Sequence, residues 1–318
     1  MKKIGVLFGA ENTFPSAVVN AIQQMELEDV TAEFVQVGGV SMVDPARYSV
    51  VLDRVSHDVP FYRAWLKSAA LQGTYVASNP FWWSADDKFF NYALANRLGV
   101  AVPPTVLLPH KQLPPHVSAQ SLRNLEFPLD WERIFAITGF PAYLKPHDGG
   151  GWRDVFYVRN EQEFFAAYDQ TRDLCMVLQR AVEFQSYVRC FVVGRSEVRL
   201  MPYDPRQPHE HRYLPGTFHA EKRLRKRIER QAVLLCKALG YDMNTVEFAI
   251  ADGVPYAIDF MNPVPDADLH SIGAEHFAWV VESVSRFLVR KARSVPLRPL
   301  ARSTRPTALL RQARPPAR

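Results

Sequence analysis

Two carboxylates stand in otherwise apolar, strand-forming sequence late in the chain, Glu247 in TVEFAI and Asp259 in PYAIDF. Both runs are rich in β-branched and aromatic residues and are joined by Ala251-Asp252-Gly253, so they read as a β-hairpin. The turn decides how the acids meet. A two-residue Asp252-Gly253 loop places them on opposite faces of the ribbon. A three-residue Ala-Asp-Gly loop, with Gly253 left-handed, makes them neighbours on one face. Neighbouring like charges repel and call for a cation, and a couple of carboxylates completed by water and phosphate oxygens suit Mg²⁺. Asn262, just past the second strand, adds a neutral oxygen. An exposed hairpin glutamate and a turn-capping aspartate would explain the stretch, taken alone, equally well.

A second chemically suggestive stretch is FPAYLKPHDGGGWRDVFYV, residues 140–158. Strand Ala142–Leu144 delivers Lys145, and Gly149, Gly150 and Gly151 follow in a turn before Val155–Val158 returns. Consecutive glycines let backbone N–H groups approach phosphate oxygens, and a lysine on the adjoining strand supplies a point charge. The run does not match the Walker pattern, and a merely mobile loop is the competing reading. Lys88, near the start of a helix expected over 84–99, opposes the helix dipole and so calls for an anionic partner, a need Asp86 and Asp87 could also meet. Arg54 follows the apolar strand Val50-Val51-Leu52. At the carboxyl edge of a parallel sheet its fork suits a substrate carboxylate, with a pairing to Asp53 or Asp58 as the alternative.

The elements that must carry these residues follow from periodicity. Strands are expected at Lys2–Phe8, 32–37 and 49–55, with a helix from Pro15 to Gln24, so the first 83 residues read as a small parallel α/β unit. No GxGxxG appears, which argues against a dinucleotide site. Beyond it come an extended segment at Val100–Leu108, a helix at 161–171, and strands at Cys175–Gln179, Tyr187–Val193 and Val198–Met201. A long helix over 221–239, with a solvated charged first half, is closed by Gly240. Arg189 sits among apolar neighbours and is expected to face a site or a buried partner.

Composition describes an ordinary soluble globular chain: 318 residues, 47% hydrophobic and 22% charged. No apolar run reaches membrane-spanning length, and no signal peptide is indicated. The three cysteines, Cys175, Cys190 and Cys236, lack metal-ligand spacing, so a reduced cytoplasmic protein is expected. The formal net charge of +5 is carried by the end of the chain. Residues 290–318 hold nine of the 38 basic residues and no acid, leaving 29 against 33 acids, about −4, in the rest. The Pro- and Arg-rich segment 297–318 reads as a disordered, solvated tail, with contact to a polyanion as its alternative.

In this order the motifs resemble the ATP-grasp superfamily, in particular its RimK/glutathione-synthetase-like branch of carboxylate–amine ligases. The matching stretches are Asp87-Lys88 with the helix and GVAVPPT after it, YLKPHDGGGWRDV, VLQRAV, YVRCFVVG and VEFAIADGVPYAIDFMNP. The resemblance covers residues 84 to about 290. It implies an α/β (α+β) ATP-grasp domain over 84–296, with ATP lying between two α+β subdomains, after a pre-ATP-grasp domain over 1–83. Lys88 and Lys145 would then contact ATP phosphates under the loop of Gly149, Gly150 and Gly151. The hinge Gln179, Arg180, Ala181 and Val182 would read adenine, with Glu183 near the ribose. Glu247, Asp259 and Asn262 would hold one or two Mg²⁺ ions, replaceable by Mn²⁺. Arg189 would face the transferred phosphoryl group or the acyl phosphate, and Arg54, Arg189 and Arg199 are the substrate candidates.

Two departures stand out. The family's acid-x-Asn becomes Asp259-Phe260-Met261-Asn262, so Asn262 reaches the metal only through a local bulge, and the acid is Asp where Glu is commoner. The resemblance implies ligation of a small-molecule or peptide carboxylate to an amine through an acyl phosphate, with release of ADP and phosphate. The competing readings are an ATP-grasp kinase of a small hydroxyl substrate and a low-turnover nucleotide-binding partner subunit. The branch is commonly oligomeric, so self-association is an expectation, whereas membrane and nucleic-acid partners are not expected.

Overall fold

The computed structural model describes residues 1–295, so the tail reading for 297–318 lies outside the described residues. The chain groups into two compact units. One comprises Met1–Ala85, Tyr187–Phe248 and the chain from Asp259; the other comprises Asp86–Ser186 and Ala249–Ile258.

The opening segment carries β1 (Lys2–Leu7), α1 (Phe14–Gln23), β2 (Val30–Phe34), β3 (Val50–Asp53), α2 (Pro60–Leu71), β4 (Tyr75–Ala77) and α3 (Pro80–Trp83). The strands form a parallel sheet in the order β2-β1-β3-β4, the arrangement expected of alternating strands and helices. Alternation along β3 serves both faces: Val50 and Leu52 join the core around Phe14, Val18 and Ile22, while Val51 joins Leu66 and Val76. The third strand ends at Asp53 rather than at 55. The Asp53 carboxylate accepts from the N–H groups of Val55 and Ser56 and turns the chain out of the ladder.

The middle segment holds α4 (Lys88–Arg97), β5 (Thr105–Leu108), α5 (Trp131–Thr138), β6 (Ala142–Pro146), β7 (Phe156–Val158), α6 (Glu161–Gln170) and β8 (Met176–Arg180). Its strands form an antiparallel sheet in the order β5-β8-β6-β7. The core combines Leu144 and Leu178 from the sheet with Phe135 and Phe164 from the helices, and Trp131 packs against both rings. The helix expected over 84–99 is shorter. Ser84 ends α3, and α4 is capped by Asp87, whose side chain accepts from the Phe90 N–H at 2.8 Å. Lys88 is therefore the first helical residue.

The remaining elements are β9 (Ser186–Val193), β10 (Glu197–Pro202), α7 (Lys222–Leu239), β11 (Met243–Ala251), β12 (Val254–Asp259), α8 (Leu269–Ile272) and α9 (Ala274–Ser294). Four strands are ordered β10-β9-β11-β12. Helix α7 ends at Gly240 in the left-handed region, as read from the sequence. The β11–β12 turn is the two-residue Asp252-Gly253, with φ of 49° and 73°. Helix α9 has no counterpart in the sequence reading. It buries Val280, Val284 and Leu288 in the same core as α1, and its last turn is fixed by Arg293 on Asp29 at 2.9 Å and by Lys291 over the Tyr75 ring.

Gly194, which follows β9, has φ of 60°, and a Cβ there would stand 2.8 Å from the Phe287 ring of α9. Gly194→Ala combines a left-handed backbone with overpacking, and is expected to lose about 1–3 kcal/mol in urea unfolding.

Candidate functional site

In the second unit Lys145 is fixed from two sides. Its ammonium donates to the Tyr92 hydroxyl of α4 at 2.7 Å and to Gln179 Oε1 of β8 at 2.9 Å, and it lies 5.1 Å from the centre of the Tyr92 ring. Each partner is itself held: Tyr92 donates to the Ile258 carbonyl, and Gln179 Nε2 donates to Thr105 Oγ1. The register explains the meeting, because β6 and β8 pair Tyr143 with Gln179 in the ladder that carries Lys145. Lys88 ties α4 to the glycine run, with its backbone N–H on the His147 carbonyl at 2.7 Å and its ammonium on the Gly149 carbonyl. In that run Gly149, Gly151, Trp152 and Asp154 all have positive φ. Gly149 and Gly151 thus occupy the left-handed region that glycine adopts without steric cost.

The hinge residues divide. Gln179 is buried and orients Lys145. The N–H groups of Arg180 and Ala181 are bound to the carbonyls of Pro104 and Pro141. The Arg180 guanidinium caps α5 through the carbonyls of Thr138 and Ile137, so that side chain serves the fold. Val182 is partly buried and Glu183 is exposed.

In the first unit Arg189 is the centre of a buried cluster. Its guanidinium lies over the rings of Tyr203 and Tyr213 at 5.1 and 5.5 Å and donates to the Tyr213 hydroxyl at 3.0 Å. Its Nε stands 3.4 Å from Glu247 Oε1, an ion pair angled away from a hydrogen bond. Tyr187 donates to the other oxygen, Oε2, at 2.6 Å. The two charged side chains are only 12% and 11% exposed, so water screens the pair poorly. Burial opposes the Arg189 charge, but Tyr213 and Glu247 outweigh it and raise its pKa above the usual arginine value. Burial also pushes the Glu247 carboxyl above its ordinary range. Arg189 pulls it down, and the charge of Asp259 adds to the rise.

The two-residue turn is the geometry associated above with acids on opposite faces, yet Asp259 is within electrostatic range of Glu247. Asp259 is the last residue of β12, where the chain leaves the strand. The extra residue before Asn262 is absorbed by Asn244, whose amide donates to the Phe260 carbonyl at 2.9 Å and accepts from the Asn262 N–H at 3.0 Å. Asn262 thereby reaches back, with Nδ2 3.5 Å from Asp259 Oδ1. Presenting Oδ1 to a cation takes a half-turn of that amide.

Among the described residues no group of three or more His, Cys, Asp or Glu side chains could hold a metal. The candidate set is two carboxylates and one carboxamide. These are hard oxygen donors, and Asp259 adds carboxylate charge within electrostatic range of Glu247, which fits a Mg²⁺-type ion.

The substrate arginines are committed within the chain. Arg54 meets Glu11 through Nε at 2.9 Å and through a second guanidinium nitrogen, and donates to the Pro265 carbonyl at 2.7 Å. The carboxylate its fork takes is therefore neither Asp53 nor Asp58. Arg199 donates to His276 Nδ1 at 3.0 Å and pairs with Glu275. The β9–β10 register opposes Arg199 to Phe191 and Met201 to Arg189, so Arg189 and Arg199 project from one face of the sheet. Sequence reasoning overlooked Tyr92, Tyr187, Tyr203 and Tyr213. Tyr187 was readable, two residues before Arg189 on the same strand face. Tyr203 and Tyr213 are brought together by an isolated bridge, with their rings edge to face at 5.1 Å.

No family model matches the chain, and no curated protein matches it. Solved structures do. D-alanine–D-alanine ligase from Bacillus anthracis complexed with ATP superposes with TM-score 0.60 at 14% identity, over 93% of this chain and 100% of that one. VanG D-Ala:D-Ser ligase from Enterococcus faecalis gives 0.63 at 16%, over 92% and 99%. A RimK domain ATP-grasp protein from Sphaerobacter thermophilus gives 0.61 at 16%, over 90% and 99%. At these identities the likeness shows the fold, which is the ATP-grasp fold.

Arg54→Met leaves the Glu11 carboxylate and the Pro265 carbonyl without their partner. With the arginine side chain 1% exposed and Glu11 partly hydrated, the loss is expected near the low end for a broken buried pair, about 3 kcal/mol in urea unfolding.

Proposed function

We propose that this protein is an ATP- and Mg²⁺-dependent carboxylate–amine ligase. The observation that carries the reading is the buried Glu247 carboxylate, paired with the held guanidinium of Arg189 and with the partly buried Asp259 within electrostatic range. The ATP-grasp fold and the doubly anchored Lys145 support it. Lys88, Lys145 and the N–H groups of the 149–151 run bind the ATP phosphates. The segment from Gln179 to Glu183 receives the adenosine. Since the N–H groups of Arg180 and Ala181 are already bound, the direct contacts fall to other groups of the segment.

Glu247, Asp259 and Asn262 hold Mg²⁺, which when bound neutralises phosphate charge. A substrate carboxylate oxygen attacks the γ-phosphorus, the bond to the β–γ bridging oxygen breaks, and ADP leaves. Arg189 answers the charge that develops on the transferred group. The amine nitrogen then attacks the acyl carbon, phosphate departs with the C–O bond pair, and a proton is lost as the amide forms. No protein nucleophile takes part. The glycine run excludes water from the acyl phosphate.

Thermal unfolding with ATP, Mg²⁺ and both together tests the reading. At about 100 times Kd the pair is expected to stabilise the protein by roughly 2.7 kcal/mol, and Asp259→Asn to reduce the Mg²⁺-dependent part. Absence of any response in the wild type would sink it. With ATP, Mg²⁺ and candidate carboxylates, hydroxylamine is expected to trap an acyl hydroxamate; a stable phosphoester in its place identifies a kinase.

Protons and the cation compete for Glu247. Its pKa is raised, so protonation begins above the 4.5 of a free glutamate. The Mg²⁺-dependent stabilisation is therefore expected to fall as pH drops through that window, and Mg²⁺ titrations across pH read it directly.

A further inference from the structure

Tyr187 has no part in the chemistry proposed above, yet it is buried and its hydroxyl donates to Glu247 Oε2 at 2.6 Å. Two residues on along β9, Arg189 brings Nε to 3.4 Å from the other oxygen, Oε1. Alternate residues of a strand share a face, so one strand sets a hydrogen bond on one oxygen of the carboxylate and a guanidinium charge beside the other. The final torsion of a glutamate is broad, and a carboxyl group held at one oxygen pivots about it. With Tyr187 holding one oxygen and the Arg189 charge drawing the other, the pivot is restricted.

Resting on the Mg²⁺–ATP reading, we infer that Tyr187 is a positioning residue that sets the plane in which Glu247 offers its remaining lone pairs to the cation. A phenol suits the task. It is a neutral donor, so it orients the carboxylate without cancelling the charge a cation needs, as a second arginine would. Partners that hold a metal ligand from behind act on metal affinity, and their loss typically costs 10–100-fold.

The test is a Mg²⁺ titration at saturating ATP, read by thermal shift, on wild type, Tyr187→Phe and Tyr75→Phe. The last is a control of equal chemistry in the same unit, since Tyr75 donates to Asp242 at 2.7 Å. Tyr187→Phe is expected to raise the apparent Mg²⁺ Kd about tenfold or more, with ATP affinity in the absence of metal unchanged. Tyr75→Phe is expected to lower the unfolding temperature and leave the Mg²⁺ Kd as in wild type. A Kd for Tyr187→Phe within twofold of wild type, or the same rise in both variants, overturns the inference. A wild type without any Mg²⁺ response removes the metal reading itself, a distinguishable failure.

If Tyr187→Phe does not fold, 3-fluorotyrosine placed at position 187 alone reports the contact. Its fluorine resonance is expected to move with Mg²⁺ and saturate with the thermal shift. A resonance that stays put under saturating Mg²⁺ and ATP overturns the inference.

Discussion

The cost of keeping carboxylate charge out of water governs the first unit. Glu247 lies in the apolar strand β11 with Asp259 near enough to oppose its ionisation, and one guanidinium, itself buried, faces the pair. A charge in such a place needs its remaining valences met, and the neighbourhood is built accordingly. Tyr187 takes one oxygen, Arg189 stands by the other, and Tyr203 and Tyr213 lay ring faces against the guanidinium. The aromatic residues are as much part of the electrostatics as the acids, because they fix the arginine without neutralising it.

The second unit handles the opposite sign by a related device. Lys145 donates to two neutral oxygens, the Tyr92 hydroxyl and Gln179 Oε1, which orient its charge without cancelling it. The hydrogen-bond chain runs on to backbone and to Thr105, which means the lysine inherits the rigidity of β5, β8 and α4. An anion approaching it meets a donor already aimed.

Much of this was legible from residue order. The hairpin, the glycine run beside Lys145, and the helix closed by Gly240 follow from local rules that the fold obeys. What escaped depends on distance along the chain. Arg54 was weighed against Asp53 and Asp58 because they are close in sequence, whereas its partner is Glu11, 43 residues away. The 84–99 helix began too early because Ser84 has the side chain of an N-cap, whereas it ends α3 and Asp87 caps α4. Helix α9 was not read from the sequence, although Phe277, Val280, Val284 and Leu288 recur at helical spacing and pack in the core that holds α1. Asn262 looked one residue out of register, and only the fold reveals that Asn244 takes up the slack.

The anchoring of the segment after β8 bears on the entropy of binding. Arg180 and Ala181 are tied through two backbone N–H groups, and the Arg180 guanidinium reaches two further carbonyls at the end of α5. Backbone that is already immobile has little freedom left to surrender when a ligand settles on it. Affinity gained along this stretch carries a smaller ordering penalty than affinity gained from the glycine run, whose three glycines begin with the greatest freedom to lose. On the proposed reading, in which one ATP spans both stretches, its two ends would thus differ in calorimetric character, one favoured by a preset frame and the other by contacts that order a glycine-rich run.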